Sequence, residues 1–471
     1  MRLSKRFRKI LVTGFAIIWC LSTVPGVQAW HLRYESDKLL PGDASPSSYV
    51  KFGSSVSVSY STAIIGAPFD YADDRGSAYI FQGDNLFTGG PAWEDGRTYS
   101  QVGTKLLGPT PLYGETTLFG QSVGISNDLA IVGSPGRIYD RGAAFIFERG
   151  TLPSDSWGNR QELPIPAVVS GEDDKFGSSV AISGNTAIVG TPMYNGRQGI
   201  AHVFQDTGTG WTQVAELTAS DAAATNFFGT SVAIAGDTAI VGAFGNDNFA
   251  GAAYVFAFDP GSGLWPEMAK LTASDREPGD MFGTSVAISG YTAPGQNVPI
   301  HGDTALVGAY GDDNGKGAAY VFKDAAGWTQ QQKLIASDGD TGDSFGYSVG
   351  LSVDSGSTLG PTAIIGAPDD NHGGLIASGS AYAFVYSDYT SSWNQNLKLL
   401  ARDRVDSHQF GRAVAMHDGH AIIGAPNDDE LETDTGAAYF YLIPEPSTMV
   451  LLAFGGLCLV GFGWRRRKWS A

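Results

Sequence analysis

Small and branched apolar residues alternate in short bursts along this chain. In Ser231-Val232-Ala233-Ile234 one side of an extended strand carries Ser231 and Ala233, and the other carries Val232 and Ile234. A period of two marks a strand. The two-residue turn Gly236-Asp237 leads into a second apolar strand, Thr238 to Gly242, as in a tight hairpin. A polar loop, Gly245 to Ala250, separates it from Gly251–Phe256, and Trp211 to Leu217 reads as a further strand ahead of the polar turn Thr218 to Asn226. Residues 211–256 thus predict four antiparallel strands in one blade of a propeller.

The pattern returns seven times. A Phe-Gly pair stands at Phe52-Gly53, Phe119-Gly120, Phe176-Gly177, Phe228-Gly229, Phe282-Gly283, Phe345-Gly346 and Phe410-Gly411. Each is followed by a Gly-Ala-Pro-like stop, from Gly66-Ala67-Pro68 to Gly424-Ala425-Pro426, and then by a Gly-small-Ala-aromatic run. A repeat of roughly 50–65 residues signals a repeat architecture. The strand after each Phe-Gly has a small face, such as Ser55/Ser57 or Ser285/Ala287, opposite a branched one, such as Val56/Val58 or Val286/Ile288. Such faces suit the crowded axis, where neighbouring sheets must interdigitate at interior density. This strand is therefore expected to be innermost.

A Trp/Leu strand precedes each Phe-Gly pair, but none follows the seventh repeat after Tyr439-Phe440-Tyr441. The missing partner lies at the other end. Lys38-Leu39-Leu40-Pro41-Gly42-Asp43, within Trp30 to Leu40 and beyond, matches Lys398-Leu399-Leu400-Ala401-Arg402-Asp403. The expected fold is all-β: a seven-bladed β-propeller over residues 30–442, closed by the N-terminal strand, which would remove an exposed sheet edge.

The two ends have other functions. Arg2, Lys5, Arg6, Arg8 and Lys9 precede the apolar stretch Ile10 to Leu21 and the small-residue site Val27-Gln28-Ala29. Residues 1–29 read as a secretory signal peptide cleaved after Ala29. At the other end, residues 443–471 hold Pro444-Glu445-Pro446, the apolar run 449–464 and Arg465-Arg466-Arg467-Lys468. The run predicts one short C-terminal transmembrane helix, a little under the ~20 residues of a comfortable span. The basic tail stays inside and the propeller outside. This three-part end resembles the PEP-CTERM sorting signal of bacterial surface proteins. That resemblance implies recognition by an exosortase-type machinery, cleavage near the Pro-Glu-Pro, and delivery to the cell envelope, surface or extracellular matrix.

Both cysteines, Cys20 and Cys458, fall in these ends, so the exported domain has no disulfide, thiolate metal site or thiol nucleophile. Setting aside the nine cations of the ends leaves 21 basic against 48 acidic residues, an excess of 27 negative charges. Such a body repels nucleic acid and favours cations.

The paired Phe-Gly and Gly-Ala-Pro motifs resemble the FG-GAP repeats of integrin alpha-chain propellers and of many bacterial surface proteins. The resemblance implies adhesion, and in integrins calcium held by a DxDxDG-type loop between the first two strands of a blade. That loop is absent here: Gly184-Asn185, Gly236-Asp237 and Asp418-Gly419 are short turns, and the longer Gly290 to Asp303 and Val353 to Pro361 lack the acidic spacing. The integrin calcium site does not carry over.

The acids lie in other loops. One set follows the stop: Asp70, Asp73 and Asp74; Asp247 and Asn248; Asp312, Asp313 and Asn314; Asp369, Asp370 and Asn371; Asp428 and Asp429. The other precedes the Phe-Gly pair and includes Asp173, Asp174, Asp275, Asp280, Asp338, Asp340, Asp343, Asp403 and Asp406. Loops alternate ends in an antiparallel blade, so both sets are expected on one face as an acidic rim. Two readings stand side by side. Oxygen-rich loops suit calcium, and Asp, Asn and Gly are also ordinary turn residues.

No nucleophile triad, phosphate loop or dinucleotide fingerprint is present, and the seven histidines are scattered. The leading expectation is a non-catalytic surface or matrix protein that binds an exopolysaccharide or another surface protein, with calcium as a candidate cofactor. The membrane would hold it through the C-terminal helix before processing. The alternative is a polysaccharide-active glycosidase or lyase using paired carboxylates.

Overall fold

The computed structural model describes residues 35–42, 49–70, 75–83, 99–103, 105–111, 115–150, 156–169, 171–289, 303–325, 327–353, 361–431 and 433–443. These form seven antiparallel sheets. The fourth is typical: Ser231–Ala235, Thr238–Ala243, Ala252–Ala257 and Glu267–Leu271, in that order from the axis outward. In the first sheet the outermost position is split between Tyr99–Gln101 and Leu106–Leu107, which both pair with Ser77–Gly83. The inner strands pack in cyclic order, with the seventh, Ala413–His417, against the first, Ser55–Ser59. The chain is thus an all-β, seven-bladed propeller.

The sheets are offset by one strand from the repeat read in the sequence. Trp211–Leu217 hydrogen-bonds to Ile200–Asp206, not to a strand within 218–256. It is the outer strand of the third sheet, so residues 211–256 span two sheets. The hairpin pattern gives strand order but not where the ring is divided. In the seventh sheet the fourth strand is Glu35–Leu39, antiparallel to Ala437–Leu442, with Lys38 opposite Tyr439 and Leu39 opposite Ala438.

The two repeated motifs are halves of one contact across each junction. The Phe of every Phe-Gly is fully buried. Phe282 packs edge-on against Tyr320 and Phe322, with ring centroids 5.5 and 5.9 Å away. Gly283 after it has φ +91°, and a Cβ there would sit 2.2 Å from the Ala252 carbonyl oxygen. The Gly283 carbonyl oxygen in turn occupies the space of a Cβ on Gly242 of the preceding sheet, at 2.0 Å. Only glycine permits both the left-handed backbone and the close approach. The same relation holds round to Gly424 against the Gly53 carbonyl.

Inner-strand serines reinforce the junction. Ser231 Oγ donates to the Gly283 carbonyl at 2.8 Å, and Ser55, Ser122, Ser179, Ser285 and Ser348 repeat the bond at 2.8–2.9 Å. The small face is thus polar as well as small. The seventh strand breaks the series with Ala413, and at its far end the His417 ring meets Tyr60 at 4.5 Å instead. The axial cavity, about 330 Å³, is ringed by Val58, Ile125, Ile182, Ile234, Ile288, Leu351 and Met416, one from each blade.

Candidate functional site: lysine-centred acidic clusters

The two acidic sets do meet, and they meet on lysines. In the sixth blade Lys398 Nζ lies 2.8 Å from Asp338 and 2.6 Å from Asp370. The Tyr382 hydroxyl donates to Asp338 at 3.0 Å and to Asp370 at 3.1 Å. The ammonium sits 5.2 Å from the centre of the Tyr382 ring, a favourable cation–π position. Each residue has a structural reason to be there. The lysine projects from the outer strand opposite the tyrosine. Asp370 follows the stop, and Asp338 lies in the loop leading to the next Phe-Gly.

The arrangement recurs. In the fifth blade Lys333 pairs with Asp275 at 2.7 Å and Asp312 at 2.9 Å, and the Tyr320 hydroxyl donates to both. In the seventh, Lys38 of the N-terminal strand pairs with Asp403, Asp428 and Glu430, and Tyr439 donates to Asp403 and Asp428. In the fourth, Asn246 replaces the buried carboxylate beside Lys270, Asp221 and Tyr254. In the first, Lys105, Tyr79 and Ser77 converge on Asp70. The residue matching Asp403 there is Asp43, which lies outside the described residues.

Burial works against the outer carboxylates and three of the lysines, and their partners outweigh it. Burial pushes Asp338, Asp275 and Asp403 up, but their lysines and tyrosines hold them below the ordinary carboxylate range. Asp221 falls to about 2. Burial lowers Lys398, Lys333 and Lys38, yet their carboxylate partners leave all three raised. Burial, and then the neighbouring carboxylates, push the Tyr320 and Tyr439 hydroxyls far up. At neutral pH Asp221, Asp275, Asp338 and Asp403 are ionised, Lys38, Lys333 and Lys398 charged, and Tyr320 and Tyr439 protonated donors.

The remaining predicted residues serve the turns. Asp247 and Asn248, and Asp313 and Asn314, occupy consecutive left-handed positions with φ between 49 and 60°, a conformation that Asn and Asp adopt more readily than other L-residues. Asp247 pairs with Arg276. Asp343 accepts from the Asp340 backbone at 2.6 Å, and burial raises its pKa. Asp369 accepts from Ser344 at 2.7 Å and Gln409 at 3.3 Å; Asn371 accepts from the Ala377 N–H, and Asp429 from that of Asp434. Asp73, Asp74, Ala29 and the sorting residues Pro444, Glu445, Pro446, Arg465, Arg466 and Arg467 lie outside the described residues. Among those described, no three His, Cys, Asp or Glu side chains are arranged to hold a metal ion.

The sequence reading missed the lysines, the tyrosines and Asp221. The signal was there: an aspartate follows five residues after the outer-strand lysine at Lys270/Asp275, Lys333/Asp338 and Lys398/Asp403, and Asp221 takes the same place after Glu216. The second and third blades lack the cluster. Phe145 takes the tyrosine position in the second, with Arg137 and Arg160 over its ring. Arg137 is itself held by Glu162, and Arg141 donates to the Val169 carbonyl. Both arginines of the 137–141 loop after the second blade's stop are therefore engaged. In the third blade the position is His202, fully buried, with burial lowering its pKa to about 4. Its Nε2 has no hydrogen-bond partner among the described residues.

Among those residues no helix is long and apolar enough to cross a membrane, and the expected span 449–464 lies outside them. The PEP-CTERM protein-sorting motif matches residues 442–468, which implies recognition by exosortase-type machinery and export to the cell envelope or surface. No curated protein matches the chain. The FG-GAP repeat matches residues 34–81, 161–204, 211–256, 265–293, 295–322, 328–384 and 393–441. All but 295–322 begin on or beside an outer strand, as the sequence repeat did, and the three inner strands of the second blade fall outside them. Covering well over half the chain, and with its two motifs meeting at every blade junction, they show that the chain belongs to the FG-GAP repeat family.

Proposed function

We propose that this is a non-catalytic binding or adhesion propeller, exported through its N-terminal signal and displayed at the cell surface or in the extracellular matrix. The sorting motif on a propeller carries the reading. In this reading residues 1–29 are removed after Ala29, and the 449–464 helix anchors the chain until the sorting machinery cuts near Pro444-Glu445-Pro446. The cluster chemistry favours binding over catalysis. A glycosidase needs one carboxyl kept protonated as a general acid. Here the outer carboxylates of the paired acids, Asp275, Asp338 and Asp403, are held ionised by lysine. Those lysines also occupy the positive-charge position that calcium would take, so the reading requires no metal. The N-terminal strand closes the ring. Beyond its pairing in the seventh sheet, Asp37 accepts from the Tyr99 N–H at 2.8 Å and the Gly42 N–H donates to Gln101 at 2.9 Å, both in the first sheet.

Co-sedimentation of the full-length chain with the extracellular matrix of its producing cells tests the reading. The protein is expected in the pellet with the polysaccharide length unchanged. Protein left wholly in the supernatant overturns it, and shortened polysaccharide favours the enzyme. Melting with calcium and then with chelator should give one temperature; a rise of several degrees with calcium would restore the metal reading.

A further inference from the structure

Where every repeat solves the same packing problem, departures gathered in one sector need a local cause. At the residue after each Phe-Gly the first five repeats carry a small hydroxyl or an amide, whereas the sixth and seventh carry Tyr347 and Arg412. After each Gly-small stop five repeats carry proline, whereas the fourth and fifth carry Phe244 and Tyr310. These four positions belong to consecutive blades on the face that bears the lysine clusters.

Tyr310, Tyr347 and Arg412 meet side by side, and Phe244 packs with Phe227 and Phe249 in the blade before them. The Tyr310 and Tyr347 rings lie 5.4 Å apart, and the Arg412 guanidinium stacks 4.3 Å from the centre of the Tyr347 ring. Phe244 contacts Phe249 at 6.0 Å, and Phe249 is 39 % exposed. Both tyrosines are half-buried, and neither hydroxyl has a hydrogen-bond partner among the described residues. Arg412 and Asp369 are close enough to act on both hydroxyls in opposite directions. The result is two aromatic groups on successive blades, the second edged by one cation, one carboxylate and two hydroxyls unpaired among the described residues.

We propose that these two groups, from Phe249 through Tyr310 and Tyr347 to Arg412, bind a neutral polysaccharide. A pyranose ring presents C–H groups on its flat face and hydroxyls at its edge. The first pack on aromatic faces, and the second hydrogen-bond to guanidinium, carboxylate and phenol. Aromatic side chains with a polar tip suit such mixed surfaces. The polymer is neutral because a chain with a formal charge of −18 repels polyanions. The proposal rests on the binding function above and supplies its site and ligand class.

Affinity electrophoresis of the full-length chain in detergent tests it, with hydroxyethylcellulose as the neutral probe and polygalacturonate as the acidic one. Hydroxyethylcellulose is expected to retard the protein and polygalacturonate is not. Tyr310→Ala and Tyr347→Ala should each weaken retardation about tenfold, as when a central aromatic of a binding surface is truncated. Tyr389→Ala, at a side chain 98 % exposed on the outer hairpin of the sixth blade, should leave it unchanged, with all melting temperatures measured to confirm folding. Retardation of wild type with undiminished binding by both variants overturns this site while the binding function stands. Retardation by polygalacturonate alone overturns the neutral ligand. No retardation by either polymer overturns the proposal, and matrix co-sedimentation then judges the binding function independently.

Discussion

Lys398→Met removes the ammonium from the sixth cluster and keeps most of its length. Asp370, whose side chain is 5 % exposed, loses its counter-ion and keeps the hydroxyls of Ser380 and Tyr382. Asp338 is 48 % exposed and can turn to water, so its share is small, as for surface pairs generally. Stranding a buried charge costs about 3–5 kcal/mol, and solvent access at Asp338 argues for the lower end. With an unfolding entropy of ~2.1 cal/mol/K per residue over roughly 400 residues, ~3 kcal/mol lowers the melting temperature by about 3–4 °C. Adding Asp370→Asn removes the stranded charge and should recover most of that loss. Differential scanning calorimetry at neutral pH on wild type, both single variants and the double variant reads the cycle. A single variant that melts with wild type, or a double variant that melts below both singles, would refute the claim that lysine and carboxylate act as one unit.

Three other outcomes are expected. Ser231→Ala should lose, and Ala413→Ser should gain, about 0.5–1.5 kcal/mol of stability in denaturant titrations, the worth of one hydrogen bond; Ser231→Phe should cost about 1–3 kcal/mol by overpacking, and equal midpoints for all would argue against the junction geometry. Burial lowers the His202 pKa from its ordinary 6.5 to about 4, so its stabilising contribution is complete above 6.5 and lost as pH falls towards 4, a span worth ~3 kcal/mol. His202→Phe should flatten that part of the stability–pH curve, and an unchanged curve would mean that the imidazole is not buried in its neutral form. Deleting residues 30–42 should open Ala437–Leu442 to limited proteolysis; a wild-type digestion pattern would count against ring closure by the N-terminal strand.

The strand pattern was legible because alternation and turn chemistry are local. Gly236-Asp237 and Ser231–Ala235 can be read without knowing their neighbours. The grouping of strands into sheets was not, because the alternation within Trp211–Leu217 does not say whether it pairs with the strand before it or the one after. Sequence spacing showed that acids before the Phe-Gly and after the stop would share a face. It did not show that Lys398 and Tyr382, a strand away in each direction, fill the space between Asp338 and Asp370. Cross-strand neighbours of that kind depend on register, and one residue of slip would move them to the other face.

The glycine–carbonyl junction joins unlike edges: each blade offers its Phe-Gly carbonyl to one neighbour and its stop glycine to the other. Such head-to-tail contacts either close on themselves or propagate without limit. A closed ring of seven leaves no edge of this kind free. A chain caught with its seventh and first blades apart would carry one of each edge, matched to any other copy in the same state. Folding that stalled at the last junction, the one that lacks the serine bond, would leave this matched pair of edges exposed at the seam between Gly424 and Gly53.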